Sequence, residues 1–253
     1  MLNLTKIFEK QHKAMVFIDY EYCFYSYKRV CDIKPQPAKW MKLFEADYSI
    51  ADVMVFADFS PSEINSELGK IRNITNTIIE TGNTFMQHKK DMTDFIMLDY
   101  IYRCADERSN IDTYIIFTGD GHFQSVVKYL SKKKKKRVII CGIKDTMSRQ
   151  LQAVADEVIE LPVEEELFLC YGQMIASNLK YIENVNKVIP TFTGTSTAVA
   201  NHNHLPVKKV NEVLNRMIEC GYINQIQKRI GSKTYMTLVP AWDKIKSEGL
   251  LAE

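Results

Sequence analysis

Three aspartates stand where apolar strand patterns end or a helical pattern begins, and that placement suits a cation. Met15-Val-Phe-Ile-Asp19 is an apolar run closed by an acid, and Tyr114-Ile-Ile-Phe-Thr-Gly-Asp120 is a second. Asp91 and Asp94 sit where a helical pattern starts. In a parallel α/β sheet the carboxyl ends of the strands open onto the binding crevice. Acids gathered there repel one another unless a cation lies among them. Mg²⁺ or Mn²⁺, held by carboxylates and water, suits such a donor set. Phosphodiester hydrolysis is the chemistry such sites commonly perform.

The elements that must position these acids are legible as alternating patterns. Apolar runs predict strands at Ala14–Asp19, Asp52–Asp58, Ile111–Thr118, Arg137–Cys141 and Glu157–Leu161, with a short one at Thr84–Gln87. Helical patterns lie between them: Tyr22–Val30, Ser60 to about Thr81, Asp94–Ala105, Gln124–Leu130 and Ser148–Ala155. Strand–helix alternation implies an α/β fold with a parallel sheet and right-handed crossovers. It fills residues 1–162. Residues 163–184 read as one connecting helix and 185–204 as a linker, because Ile189–Asn203 is threonine-rich and aperiodic. Residues 205–253 read as a small module. A helix over Val207–Cys220 stops at Gly221. Strands at Tyr222-Ile223 and Thr234–Val239 flank a basic turn, and a last helix follows Pro240. Helix plus basic hairpin is the shape of a winged-helix module.

Composition narrows the partners. The 253 residues carry a net charge of +2, so any nucleic-acid binding must come from local patches. No stretch of 18 apolar residues occurs, so no membrane span is expected, and the polar N-terminus lacks the apolar core of a signal peptide. Six cysteines without C-x-x-C pairing fit buried thiols in a reducing cytoplasm rather than zinc ligands.

Each motif also has a plainer structural explanation. Thr118-Gly119-Asp120-Gly121-His122-Phe123 leads from a strand into a helix through a turn with two glycines. Its backbone can approach a ligand closely, or Asp120 can simply cap the next helix. Asp19 can ligate a metal or cap the helix after it. Lys89 and Lys90 precede the helix of Asp94 and could meet a phosphate, while Thr93 or Asp94 could be its N-cap. Asp99, five residues on, is a weaker ligand candidate because it lies off that face. The run Lys132, Lys133, Lys134 and onward is a solvated turn or a phosphate-binding edge. His202 and His204 fall in the linker. The aromatics Tyr20, Tyr22, Phe24, Tyr25 and Tyr27 read as core, those nearest Asp19 being able to stack on bases.

In order, these segments resemble the NYN domain, a branch of the PIN-like nuclease superfamily, with bacterial LabA-like and limkain-type members the nearest in pattern. The family's Asp-x-x-Asn is matched by Asp19-Tyr20-Glu21-Tyr22, and its lysine-rich approach to an acid by Lys89-Lys90 and Asp94. Its Ser-Gly-Asp-x-Asp-Phe is matched by Thr118-Gly119-Asp120-Gly121-His122-Phe123. Its closing Ser-x-x-Leu-x-x-x-Ala-Asp is matched by Ser148 to Asp156. Two positions depart: Tyr22 replaces Asn, and His122 replaces a second Asp.

The resemblance implies a divalent-metal ribonuclease in which Asp19, Asp94 and Asp120 hold Mg²⁺ or Mn²⁺. His122 would ligate or sit beside the phosphate. Lys89, Lys90, Lys132, Lys133 and Lys134 would guide the backbone, and Lys228, Arg229 and Lys233 would add contacts from the tail. RNA is the implied partner, with single-stranded DNA and a homodimer left open. The rival readings are a degenerate RNA-binding scaffold and a DNA-binding regulator led by the tail.

Overall fold

The computed structural model describes residues 12–82, 92–185 and 188–251. It divides into two compact units, one formed by the chain up to Val30 with Lys34–Pro162, the other by Cys31–Ile33 with Val163–Glu253.

The first unit is a six-stranded parallel sheet. Its strands are β1 (His12–Asp19), β2 (Tyr48–Ala57), β3 (Ile78–Glu80), β4 (Thr113–Phe117), β5 (Arg137–Ile143) and β6 (Glu157–Leu161), in the order β3-β2-β1-β4-β5-β6. The order turns back between β1 and β4. In doubly wound sheets such a reversal opens a crevice at the carboxyl ends of the two strands. β4 is buried along its whole length, as is β1 from Ala14 onward. That explains why both read as continuous apolar runs.

Helices α1 (Tyr20–Cys31), α2 (Pro37–Lys42), α3 (Ser62–Asn65), α4 (Leu68–Arg72), α5 (Met92–Glu107), α6 (Gln124–Lys128) and α7 (Arg149–Gln152) connect the strands. One core joins Met15, Phe17, Phe56, Tyr114 and Ile116 of the sheet to Met97 and Ile101 of α5 and to Val126 and Val127 of α6. A second aromatic group contains Tyr20, Tyr27, Trp40, Phe44 and Phe117. Trp40 donates to Tyr27 Oη at 2.9 Å, and its ring lies 5.0 Å from that of Phe117. Of the early aromatics, Tyr20, Phe24 and Tyr27 are core, whereas Tyr25 is exposed.

One expectation in this unit needs correction. The long helix from Ser60 to Thr81 is instead two short helices and a strand. Ser66 and Asn73 end α3 and α4. The β-branched run Thr75, Thr77, Ile78, Ile79 then favours an edge strand, and Thr75 Oγ1 donates to Val53 O of β2 at 2.6 Å. The third strand is thus Ile78–Glu80; the expected one at Thr84–Gln87 lies outside the described residues.

The second unit contains α8 (Glu164–Val185), α9 (Phe192–His202), α10 (Val207–Glu219), the antiparallel pair β7 (Ile223–Ile230) and β8 (Lys233–Pro240), and α11 (Trp242–Ser247). The linker assigned to 185–204 is largely α9, and this too is a correction. Thr191 caps it, accepting from Gly194 N at 3.2 Å. Its buried positions are Thr195, Ser196, Val199 and Ala200, a four-residue repeat of small side chains. The periodicity is one of size rather than of apolarity, so the hydrophobic pattern missed it. α9 packs against both α8 and α10, which also pack on each other, with Ile175, Leu179, Val210 and Leu214 in the buried set. Gly221, at φ +71°, ends α10 as expected.

Among the described residues no helix is long and apolar enough to cross a membrane. Cys23, Cys104, Cys141 and Cys170 are buried thiols outside any disulfide.

Candidate metal centre

The chain leaves β1 at Asp19 and enters α1 at Tyr20 without an intervening turn. Asp19 caps that helix, its Oδ1 accepting from Tyr22 N at 3.0 Å. Asp120 does the same one strand away. After β4, Thr118 and Gly119 lead to Asp120, whose Oδ1 accepts from His122 N at 2.8 Å at the start of a short 3-10 turn. Capping and functional placement therefore coexist: the two caps hold two carboxylates at adjacent strand ends. Asp94 arrives from a third direction, in the first turn of α5.

Asp94, Asp120 and His122 each offer a donor atom, and these atoms all lie within 4.8 Å of one another. His122 Nδ1 is 3.2 Å from Asp120 Oδ1 and 3.8 Å from Asp94 Oδ2. Asp94 is mostly buried and Asp120 is partly open, while the imidazole is 68% exposed, so the cluster faces solvent through His122. Asp19 is not in this trio but is coupled to it. Its carboxyl is pushed up to about 8, by burial first and then by the charges of Asp94, Glu21 and Asp120, against the lowering effect of the Tyr22 amide. Carboxylates that raise one another's proton affinity are what a divalent cation relieves. Two carboxylates with one imidazole are a donor set a divalent cation can use, so the residues present fit the divalent metal that the fold implies.

The two departures from the family pattern have distinct consequences. Tyr22 turns its hydroxyl away to β5, accepting from Ile143 N at 2.8 Å and bonding Thr146 Oγ1 at 2.7 Å. Burial raises its pKa to about 12, against the lowering effect of those two bonds. A Cβ on Gly119 would lie 2.5 Å from Tyr22 Oη, so the packed tyrosine leaves no room for a side chain there. His122, by contrast, stays in the acid cluster.

Other candidates lie elsewhere. Lys89, Lys90 and Asp91 fall outside the described residues. Asp99 forms an exposed i,i+4 pair with Arg103 at 3.0 Å, which removes it as a ligand candidate. Lys132 and Lys133 occupy a π-type turn after α6, ahead of the amino end of β5, whereas the acids follow carboxyl ends. A strand length, about 17 Å for five residues, separates those edges. Lys134 is paired with Asp106 at 2.7 Å and lies over the Tyr129 ring. Lys228 and Arg229 are in β7 and Lys233 in β8, within the second unit.

Sequence reasoning missed the acids behind the site. Glu21 Oε1 accepts from Asp58 N at 2.8 Å and from Thr93 Oγ1 at 2.9 Å. Glu80 Oε1 accepts from Phe59 N and Gly82 N. A cleft of about 820 Å³ opens nearby, lined by Phe59, Ser60, Asn65, Arg72 and Glu80 among others. The signal was present in Asp19-x-Glu21 and in the acid closing β2, but nothing local told what they bond.

The fold is similar to that of a Vibrio parahaemolyticus protein of unknown function, VPA0982, at TM-score 0.55 and 14% identity over 61% of this chain and 96% of that one. At that identity the likeness concerns the fold alone. A glutamate 5-kinase of Clostridium acetobutylicum is 20% identical over 151 residues, 59% of this chain and 54% of the kinase, so the chain spans about half of that relative's length. Residues 13–164 match the NYN domain family, covering the entire sheet with Asp19, Asp94, Asp120 and His122. Through these residues the chain belongs to the NYN domain family, a branch of the PIN-like nuclease superfamily.

Proposed function

We propose that the chain is a divalent-metal-dependent endoribonuclease, and the observation that carries this reading is the convergence of Asp94, Asp120 and His122 within 4.8 Å at the switch point of an NYN sheet. Asp94 and Asp120 would hold Mg²⁺ or Mn²⁺, with Asp19 behind them supplying charge and, once a cation lowers its pKa, a further carboxylate. Such a cation supplies an acidified water and neutralises charge on the phosphate. The protein's own part is positioning. The helix and turn caps fix Asp19 and Asp120, α5 brings Asp94, and the exposed His122 ring meets the phosphate or its water. Lys132, Lys133, Lys228, Arg229 and Lys233 are proposed to attract the RNA backbone, with Lys89 and Lys90 in the same role ahead of α5. Residues 205–253 are proposed as a winged-helix-like binding module.

A second reading has its own support. His122 Nδ1 already sits against both acids, so an imidazole can accompany the pair in place of a metal. The protein would then be an RNA-binding scaffold.

End-labelled single-stranded RNA and DNA, incubated with Mg²⁺, Mn²⁺ or EDTA, separate the two. Internal cleavage of RNA that needs the metal supports the nuclease. RNA binding without metal-dependent product supports the scaffold.

A further inference from the structure

We infer that Glu21 is a positioning residue that sets where Asp94 stands in the metal centre. This rests on the proposed metal-dependent reading and adds to it a residue that touches neither metal nor substrate. Asp19 and Asp94 come from segments far apart in sequence. Glu21 directly links those segments: it lies in the first turn of α1, two residues after Asp19, and accepts from the hydroxyl of Thr93, the residue before Asp94. The same oxygen, Oε1, accepts from Asp58 N just past β2. Thr93 Oγ1 is also 2.7 Å from Thr81 Oγ1, just past β3. Four segments, from the ends of β1, β2 and β3 and the start of α5, therefore meet at one carboxylate oxygen and one hydroxyl.

The location argues that this junction serves the site. Thr93 is half-buried and precedes the acid whose Oδ2 lies 3.8 Å from His122. A shift of α5's first turn moves Asp94 directly, and metal sites tolerate errors of only a few tenths of an ångström. Hydrogen bonds that orient a ligand typically govern metal affinity by roughly ten- to a hundred-fold. Glu21 also adds a negative charge beside Asp19. Its charge and its acceptor geometry are separable, because glutamine keeps an oxygen that can accept both bonds and loses the charge.

The test is Mn²⁺ binding to the full chain, by calorimetry or by the loss of the free-Mn²⁺ paramagnetic resonance signal, with melting temperature recorded in EDTA. Wild type, Glu21→Gln, Glu21→Ala, Thr93→Val and Thr93→Ser are compared. Positioning predicts that Glu21→Ala and Thr93→Val each weaken Mn²⁺ binding by roughly ten-fold or more. Glu21→Gln and Thr93→Ser should stay within about three-fold of wild type. If Glu21→Gln falls as far as Glu21→Ala, the charge is what matters and the inference is overturned. Wild-type affinity in a folded Glu21→Ala protein overturns it too. Should Glu21→Ala fail to fold, the Thr93 pair decides: a Thr93→Val protein that binds as wild type overturns it, and a loss restored by serine supports it. Wild type that binds no Mn²⁺ removes the metal-dependent reading itself, an outcome distinct from any of these.

Discussion

The acid cluster of the first unit and the basic hairpin of the second are both charged, and they are built in opposite ways. The cluster draws Asp94 from α5 and Asp120 and His122 from the turn after β4, with Asp19 at the end of β1 feeling their charge. Its charges are crowded, partly buried and able to alter one another's protonation. Lys228, Arg229 and Lys233 lie instead on one exposed two-stranded ribbon, close in sequence and open to water. Crowding is what chemistry at a metal requires, because differential stabilisation of charge needs fixed groups of low mobility. Exposure suffices for attracting a polyanion, because counterion release depends on how many charges meet phosphates and little on their order. The two regions should therefore fail differently when altered.

The largest expected effect is at the cluster. Asp120→Asn should lower metal-dependent cleavage of single-stranded RNA by about two orders of magnitude or more, as loss of a metal ligand does. The amide can still accept the His122 N–H and removes one of three neighbouring charges, so the melting temperature in EDTA should be equal or slightly higher. Unchanged cleavage, or a collapse of the cooperative melt, would place the site's chemistry elsewhere.

A second effect is read in stability. In the unfolded chain Asp19 titrates near its ordinary 3.8, and in the folded, metal-free protein at about 8. The folded state thus holds the proton more tightly, and stability falls as pH rises between those values. The contribution is complete below about 4 and lost through pH 8. Asp19→Asn keeps an acceptor for Tyr22 N and cannot ionise. Its melting temperature in EDTA should match wild type near pH 5 more closely than near pH 8.5, where the variant should lead by several degrees, about 2–4 °C per kcal/mol for a chain of this size. Saturating Mn²⁺ should erase that lead. A gap that does not widen with pH means Asp19 is ionised throughout.

His122→Asp sharpens the comparison within the cluster. It replaces the imidazole beside Asp94 and Asp120 by the family's carboxylate, so Mg²⁺ should bind several-fold tighter, and turnover should rise with it. Tighter Mg²⁺ without any cleavage in either protein would favour the scaffold reading.

What was legible in the sequence follows the same division. Strands buried on both faces announce themselves as apolar runs, which is why β1, β4 and β5 were found near their true limits, while the half-buried edge strand β6 was found from Val158, Ile159 and Leu161. Asp19 and Asp120 were readable because an acid closing such a run is locally unusual. β3 was read as part of a helix because an edge strand of three residues has little pattern to read. α9 was missed because its buried face is threonine, serine and alanine. Glu21 escaped because its bond to Thr93 spans 72 residues, and no local spacing encodes a partner at that distance. The lysines of the 132–136 run were legible as a charge cluster, but their edge of the sheet was not. A charge pattern says that water is near and does not say what else is.

The smallest effect belongs to the hairpin, and its geometry allows a specific form. Arg229 pairs with Thr234, and Lys228 with Tyr235. Side chains alternate along a strand and paired residues share a face. Lys228 and Lys233 therefore lie on one face of the ribbon and Arg229 on the other, so one RNA strand laid along a single face meets two of these charges or one. Truncation at Leu205 would be a poor test, since it strips α10 from the buried surface of α9. Charge reversal in the full chain keeps that core. Lys228→Glu with Lys233→Glu should weaken binding of single-stranded RNA by a few-fold at low salt. It should flatten the slope of log affinity against log salt by roughly 1.4, about 0.7 for each phosphate that the protein no longer neutralises. Arg229→Glu alone should change the slope by about half as much or not at all, according to which face the RNA follows. Metal-dependent turnover at saturating RNA should be unaffected by all three, because none of them lies in the acid cluster. Equal slopes for the double variant and wild type would show that the ribbon does not touch the backbone, leaving the exposed Ile226 and Met236 on β7 and β8 as its remaining means of binding.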